Sequence, residues 1–149
     1  MHTVAGAGLG FLLSVLWFDL MFDVQVRGHR DAVLPPEVLT SIGAYYQRVT
    51  TTAWPMNRLV AACMLVTVGA LAGELGRGAA HPLATVAALA LTLVGIGLAG
   101  ARTVRNAVRL GGGADSGERR SALARSIFRD HLVCITAIAG ALILQIAAT

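Results

Sequence analysis

Four long apolar stretches limit this chain to a small number of folds. They lie at about residues 4–22, 55–75, 83–101 and 132–148, and as helices each would cross about 30 Å of hydrocarbon. Only 13% of the residues are charged, and the mean hydropathy is +0.69. An average soluble domain has roughly a quarter of its residues charged. The sequence therefore predicts an all-α, integral membrane four-helix bundle that forms one domain over residues 1–149.

The basic residues predict the orientation of this bundle. All twelve are arginines, and all but Arg77 lie on the same side of the four spans. Connections that face the cytoplasm collect Lys and Arg. We therefore expect a multi-pass protein of the bacterial inner membrane, with both termini outside. The same rule explains the net charge of +4 without nucleic acid, and membrane lipid is the expected partner of the arginines.

Both of the longer, cytoplasmic connections are expected to contain helical structure. Behind Pro35–Pro36, an apolar stripe at helical spacing predicts an amphipathic helix. This helix either lies at the membrane surface or extends the second span inward, with a break at Thr50–Pro55. The stripe consists of Val38, Leu39, Ile42, Tyr45, Tyr46 and Val49. In the other connection, Gly111–Gly113 ends the third helix, and Asp115 and Glu118 can cap a new helix that runs unbroken into the fourth span.

Two pairs of glycines have the spacing that lets membrane helices approach closely. They are Gly6 with Gly10 and Gly69 with Gly73, each four residues apart. The spacing favours packing inside the bundle, and a homo-oligomer interface is the alternative.

Polar residues gather where the spans meet the arginine-rich connections. The first and third spans end on this side and the second and fourth begin there, so these residues share one membrane level. They are Asp19, Asp23, Asn57, Arg58, Arg102, Arg105, Asn106, Arg109, Arg129, Asp130 and His131. Asp19 and Asp23 are four residues apart and share one helix face. Because ionisable groups at membrane depth usually pair, we expect these carboxylates to pair with Arg102 and Arg105.

Two interpretations of this cluster remain open. Carboxylate–arginine pairs can simply hold helices in register, and arginines at helix ends reach toward the headgroups as a matter of course. Alternatively, the cluster forms a polar cavity for a small amphipathic or anionic ligand, with binding residues Asp19, Asp23, Asn57, Arg58, Arg102, Arg105, Arg109 and Arg129. His131 is then the histidine placed to act as a general base near neutral pH. No spacing indicates a cofactor, and the excess of arginine argues against a metal ion.

Three segments, in order, resemble those of a known family. They are Trp54–Asn57 at the start of the second helix, Arg102–Leu110 after the third, and Arg129–Leu132 before the fourth. The chain is similar to small bacterial four-helix membrane proteins of the anthrone oxygenase-like family. It departs from them in having an arginine where a proline is expected beside the asparagine, and in lacking the tryptophan before the histidine. The resemblance implies a four-helix bundle and, in some relatives, cofactor-free oxygenation of a polycyclic phenol, with Asn106 and His131 in the catalytic role.

Three function classes fit this sequence. The favoured one is a binding or accessory membrane protein with a cytoplasm-facing polar site for an amphipathic or anionic ligand. The alternative is a cofactor-independent membrane oxygenase acting on a polycyclic or quinone-like phenol, with His131 as base and Asn106 or arginines stabilising an enolate-type anion. An anion carrier is least favoured, because the outer half of the chain offers only Glu74, Arg77 and His81 as polar groups.

Overall fold

The computed structural model describes residues 1–148, and within them the chain is all-helical. The helices are α1 (His2–Asp23), α2 (Pro36–Thr51), α3 (Trp54–Gly76), α4 (Pro82–Leu98), α5 (Val104–Gly112) and α6 (Gly117–Ala147). A π-helical turn, Ala99–Thr103, joins α4 and α5 into one rod. The prediction of an all-α chain with four helices long and apolar enough to cross a membrane is confirmed, the four being α1, α3, the α4–α5 rod and α6.

The four long helices form a ring in which α1 and α4 lie diagonally opposite each other. Both α1 and α4 pack against α3 and against α6. Among the described residues, α1 makes no close backbone contact with either α4 or α5. The core of this bundle consists of small and aliphatic side chains: Ala5, Leu9, Leu12, Ala70, Leu71, Ala88, Ile138 and Ala141.

The glycines that bring the helices together are not the ones that the spacing indicated. Gly8 packs against Thr67 of α3, and Gly95 packs against Ile138 of α6. The prediction that the spaced glycines pack inside the bundle is wrong for three of them, because a Cβ there would meet no atom within 4 Å: Gly6, Gly10 and Gly69. Spacing identifies a face of small residues, but the order of the helices decides whether that face points inward.

A second hydrophobic core lies at the end of the bundle that carries Arg58, Arg102, Arg105 and Arg129, which we call the Arg-rich end. Here α2 packs on α5 and on the beginning of α6. The buried residues are Val26, Leu34, Leu39, Ile42, Tyr46, Ala107, Leu110, Leu123, Ala124 and Ile127. We call residues 24–51, α5 and residues 117–128 of α6 the cap. The predicted amphipathic helix is present as α2, and its apolar face is covered within the cap.

Two arginines of α6 hold the cap together through backbone carbonyl groups. Arg120 donates a hydrogen bond of 3.1 Å to the carbonyl of Leu39 in α2. Arg125 donates to three carbonyls of the connection between α1 and α2, those of His29, Asp31 and Ala32. These basic residues therefore stabilise the cap.

The start of α6 differs from its prediction in one detail. Ser116 is the N-cap residue, and its side chain accepts a hydrogen bond from the backbone N–H of Arg119. Asp115 instead pairs with Arg109 at 2.9 Å, so the prediction that Asp115 and Glu118 cap this helix is wrong. A serine hydroxyl at the N-cap position accepts a hydrogen bond from a backbone N–H of the first turn, as the predicted carboxylate would have done. The prediction of a helix unbroken into the fourth span is confirmed by α6.

The contact between α2 and α5 depends on Gly111. A Cβ at this position would lie 2.6 Å from the backbone nitrogen of Gln47 and 2.9 Å from the carbonyl carbon of Tyr46. Because backbone atoms cannot rotate away, Gly111→Ala should force the helices apart and lower the stability by about 1–3 kcal/mol. The measurement is the Tm of the purified protein in detergent. Gly112→Ala is the matched control, since its Cβ would meet nothing within 4 Å. An equal loss of Tm in both variants would contradict the prediction.

Candidate functional site

A cavity of about 600 Å³ lies at the Arg-rich end, in the space between the diagonal helices α1 and α4. All the long helices contribute to its wall, and α2 covers it from the cap side. Its surface is mainly apolar, with Leu12, Leu16, Val60, Met64, Ile96 and Ile138 among the lining residues. The cavity therefore suits the apolar body of a ligand.

The cavity exists because the first half of α3 stands away from the bundle. The buried residues of α3 are Thr67, Ala70 and Leu71, all in its second half. Residues 54–59, by contrast, are all exposed. Tight packing of α3 is thus confined to the far end, and the helix diverges from its neighbours toward the Arg-rich end.

His131 lies at the polar end of this cavity, between two carboxylates of α1. Its Nδ1 atom is 2.6 Å from Oδ2 of Asp23, and its Nε2 atom is 3.9 Å from Oδ2 of Asp19. A carboxylate only accepts hydrogen bonds, so Nδ1 carries the proton that Asp23 accepts. Asp23 is completely buried, whereas Asp19 and His131 line the cavity. Asp23 therefore orients the imidazole, and Nε2 is left on the cavity side.

Two adjacent tyrosines of α2 complete this group. The Tyr45 hydroxyl donates to Oδ1 of Asp19 at 2.6 Å, and the Tyr46 hydroxyl donates to Oδ1 of Asp23 at 2.7 Å. The ring of Tyr45 also stacks on Phe22, with 3.9 Å between the ring centroids. Each carboxylate thus has a phenol donor on one oxygen and the histidine near the other.

The two phenols remain protonated in the folded protein. Burial raises the pKa of both Tyr45 and Tyr46 far above the ordinary tyrosine value, and the negative charges of Asp19 and Asp23 raise the pKa further. Both tyrosines therefore act as hydrogen-bond donors throughout the physiological pH range.

The prediction that Asp19 and Asp23 pair with Arg102 and Arg105 is wrong. The two carboxylates bond to tyrosines and to His131 instead. The reason is the order of the helices, because α1 lies across the cavity from the α4–α5 rod. Arg105 bonds to a backbone carbonyl of its own helix.

Arg102 pairs with a different carboxylate, that of Asp130 on α6. Its Nε donates to Oδ2 of Asp130 at 2.9 Å, and its Nη2 donates to the other oxygen. The Thr103 hydroxyl adds a hydrogen bond of 3.3 Å. Asp130 is fully buried, and a buried carboxylate needs such partners to offset its desolvation. This interaction fixes the rod to α6 immediately beside His131.

The π-helical turn keeps one side of the rod facing the cavity. Gly95, Ala99, Thr103 and Ala107, spaced four residues apart, all line it. In a regular α-helix, residues four apart are separated by about 400° around the axis, which is one turn plus about 40°. Each successive residue of such a series would therefore point about 40° further from the cavity. A π-helical turn contains more residues than an α-helical turn, and it offsets this drift.

Of the two predicted asparagines, only one reaches the cavity. Asn57 lines it and donates from Nδ2 to the carbonyl of Val49 at 2.7 Å. Asn106 lies outside the lining and faces Ser126 of α6, with 3.3 Å between the amide nitrogen and the hydroxyl.

The predicted arginines all lie outside the cavity lining: Arg58, Arg102, Arg105, Arg109 and Arg129. The Arg58 guanidinium lies over the Trp54 ring, 4.6 Å from its centroid. Arg129 donates to the carbonyl of Arg125 in its own helix. The structure therefore brings together Asp19, Asp23, Asn57 and His131 around the cavity, and it turns the arginines toward other partners.

Sequence reasoning placed Tyr45 and Tyr46 only in an apolar stripe and missed their hydroxyl groups as site components. The sequence did indicate this role, because two adjacent phenols on the buried face of a helix need hydrogen-bond partners. Asp19 and Asp23 supply carboxylate acceptors at the same predicted membrane level.

No family model, curated protein or solved structure matches this chain. The resemblance to the anthrone oxygenase-like family stays a prediction. Over residues 1–148, no three His, Cys, Asp or Glu side chains are arranged so that they could hold a metal ion.

The buried phenols can be tested directly, because the chain contains two tyrosines. A free phenol is half ionised at a pH of about 10, but the raised pKa of Tyr45 and Tyr46 should suppress tyrosinate absorbance there in the folded protein. Unfolding at the same pH should restore it. The stability that these phenols contribute is full below about pH 10 and is lost as the pH rises further.

The measurement is an ultraviolet titration of the protein in detergent, with Tyr45→Phe and Tyr46→Phe to assign the signal. Tyrosinate absorbance with an ordinary midpoint in the folded protein would contradict the placement of both hydroxyls against carboxylates.

Proposed function

We propose that this chain is a multi-pass inner-membrane protein that binds an amphipathic ligand in its cavity, with the cap on the cytoplasmic side of the bundle. The observation that carries the proposal is the apolar cavity of about 600 Å³ with Asp19, Tyr45 and His131 at one end. The bias of the arginines supports the orientation, since basic residues favour the cytoplasmic side.

The polar end favours a hydroxyl group over an anion. Two carboxylates lie there, and the arginines that would attract an anion are directed elsewhere. With its proton on Nδ1, a neutral His131 has a lone pair on Nε2 and can accept a hydrogen bond from the ligand. The 3.9 Å between Nε2 and Asp19 is too long for a direct hydrogen bond. A ligand hydroxyl, which has one proton, can therefore donate to either of these two acceptors.

A transport function has less support than binding. A second cavity of about 320 Å³ lies at the opposite end of the bundle, beside His2, Glu74 and Arg77. The two cavities have no lining residue in common among the described residues. A carrier would need a path that joins them.

Binding can be tested by mass spectrometry of the small molecules that co-purify with the protein in lipid nanodiscs. We expect a hydroxylated apolar compound whose amount falls about tenfold or more in His131→Ala and Asp19→Asn, because a hydrogen bond to such a group contributes about 1.5–3 kcal/mol. Arg105→Ala is the control, since Arg105 is exposed and outside the cavity. The proposal would be contradicted if only bulk phospholipid were recovered and its amount did not change in these variants.

A second candidate is a cofactor-independent oxygenase, and the Asp23–His131 pair favours it. A histidine oriented by a buried carboxylate can act as a general base toward an acidic proton of a polycyclic phenol. The enolate-type anion so formed would then react with dioxygen. Since Asn106 lies outside the cavity, stabilisation of that anion would fall to Asn57, which lines it and has a second amide N–H besides the one donated to Val49.

The oxygenase candidate predicts dioxygen uptake with a polycyclic phenol as substrate. Loss of the base in His131→Gln should lower kcat by about 10²–10⁴-fold, while Asn106→Ala should leave the rate near that of the wild type. The measurement is oxygen consumption together with product analysis by mass spectrometry. If the wild-type protein binds the phenol without consuming oxygen, the binding function stands and this candidate fails.

A further inference from the structure

The edge of the cavity consists of residues that both line it and are exposed. On α3 these are Met56, Asn57 and Ala61, and on α5 they are Val104 and Val108. The two valines are 55% and 52% exposed. Four of these five residues are apolar, and such surfaces favour an apolar surrounding over water. We call these five residues the portal.

The portal coincides with a gap between two helices. Among the described residues, α3 makes no close backbone contact with α5. On the other flank of α3, the cavity edge carries Phe18 of α1, but α1 is in close backbone contact with α3 along part of its length, which α5 is not. A route into the cavity from the side therefore passes between α3 and α5.

The cap closes the cavity on its own side. Tyr45, Tyr46 and Val49 of α2 form that wall. Behind them lies the second core, in which Ile42 and Leu110 are completely buried. A water-soluble molecule approaching from the cap would have to displace this packed core.

The residues that flank the portal favour a position at the level where a membrane passes from headgroups to hydrocarbon. Trp54 and Arg58, whose side chains are stacked, flank its α3 side, and Arg105 and Arg109 flank its α5 side. Tryptophan and arginine side chains prefer this interfacial depth. A molecule dissolved in this leaflet holds its hydroxyl near the headgroups and its apolar body below them. It would have the same orientation inside the cavity, with the hydroxyl near Asp19 and His131.

We propose that the ligand enters sideways through the portal from the cytoplasmic leaflet, and that it is a membrane-dissolved, uncharged molecule with an apolar body and one terminal hydroxyl. This inference rests on the proposed binding function and adds to it the source and the chemical class of the ligand. A water-soluble metabolite is disfavoured because the cap closes the other approach.

The route can be tested by photolabelling the wild-type protein in nanodiscs. One probe is an uncharged, lipid-soluble aryl diazirine, and the other is a charged, water-soluble diazirine. Leu12 and Ile138 are buried residues that line the cavity, whereas Leu9 and Leu71 are buried in the same core outside it. Because a close-packed core excludes solutes and an apolar cavity admits them, the lipid-soluble probe should label the first pair about fivefold more than the second. The charged probe should label neither pair.

A substitution at the portal makes the test specific. Val104→Trp should narrow the opening and reduce labelling of Leu12 and Ile138. Val133→Trp is the matched control, because Val133 is 49% exposed on α6 and outside the cavity lining. Equal labelling in the two variants would overturn the portal.

Two further outcomes would overturn this inference without contradicting the proposed binding function. Labelling of Leu12 and Ile138 by the charged probe would show access from water. Equally strong labelling by a phospholipid with a diazirine on its acyl chain would assign the cavity to bulk lipid. The dependence of co-purified ligand on His131 tests the proposed function separately from both.

Discussion

Two buried carboxylates, Asp23 and Asp130, must find partners where the bundle meets the cap. Moving a carboxylate out of water costs several kcal/mol unless hydrogen bonds and opposite charge offset it. Tyr46 and His131 satisfy Asp23, and Arg102 with Thr103 satisfies Asp130. These contacts join α1 and α2 to α6 and join the α4–α5 rod to α6. The polar end of the cavity is thus also the junction that holds cap and bundle together.

Asp23 and Asp130 find their partners in contacts that involve α6. As a result, in the described part of the chain, α1 and the α4–α5 rod each pack against α6 and not against each other. The space between them becomes a cavity because α3 diverges instead of filling it, with residues 54–59 all exposed. A close-packed bundle would gain dispersion energy by closing this gap. The divergence thus lowers packing at one end and leaves a cavity beside His131, which Asp23 orients.

Much of the fold could be predicted, because apolar length and helical periodicity are local properties of the sequence. Four long helices, the amphipathic α2 and the unbroken α6 all follow from them. The partners of Asp19 could not be predicted in the same way. Spacing places Asp19 and Asp23 on one face, but it does not say whether that face meets α6 or the rod, which depends on the order of helices around the bundle. The positions of Arg102 and Asn106 depend on the same order, and both face α6 rather than α1.

The π-helical turn at Ala99–Thr103 sets how the faces of α5 are rotated relative to those of α4. Each residue of a helix rotates the following residues by about 100° about the helix axis. The number of residues in this turn therefore determines which way the side chains of α5 point. Removing one residue here would leave α4 unchanged and swing Val104 and Val108 to another side of the rod. The same rotation would turn Gly111 away from the backbone of α2. The length of the turn therefore sets both the contact between α2 and α5 and the side on which the cavity opens.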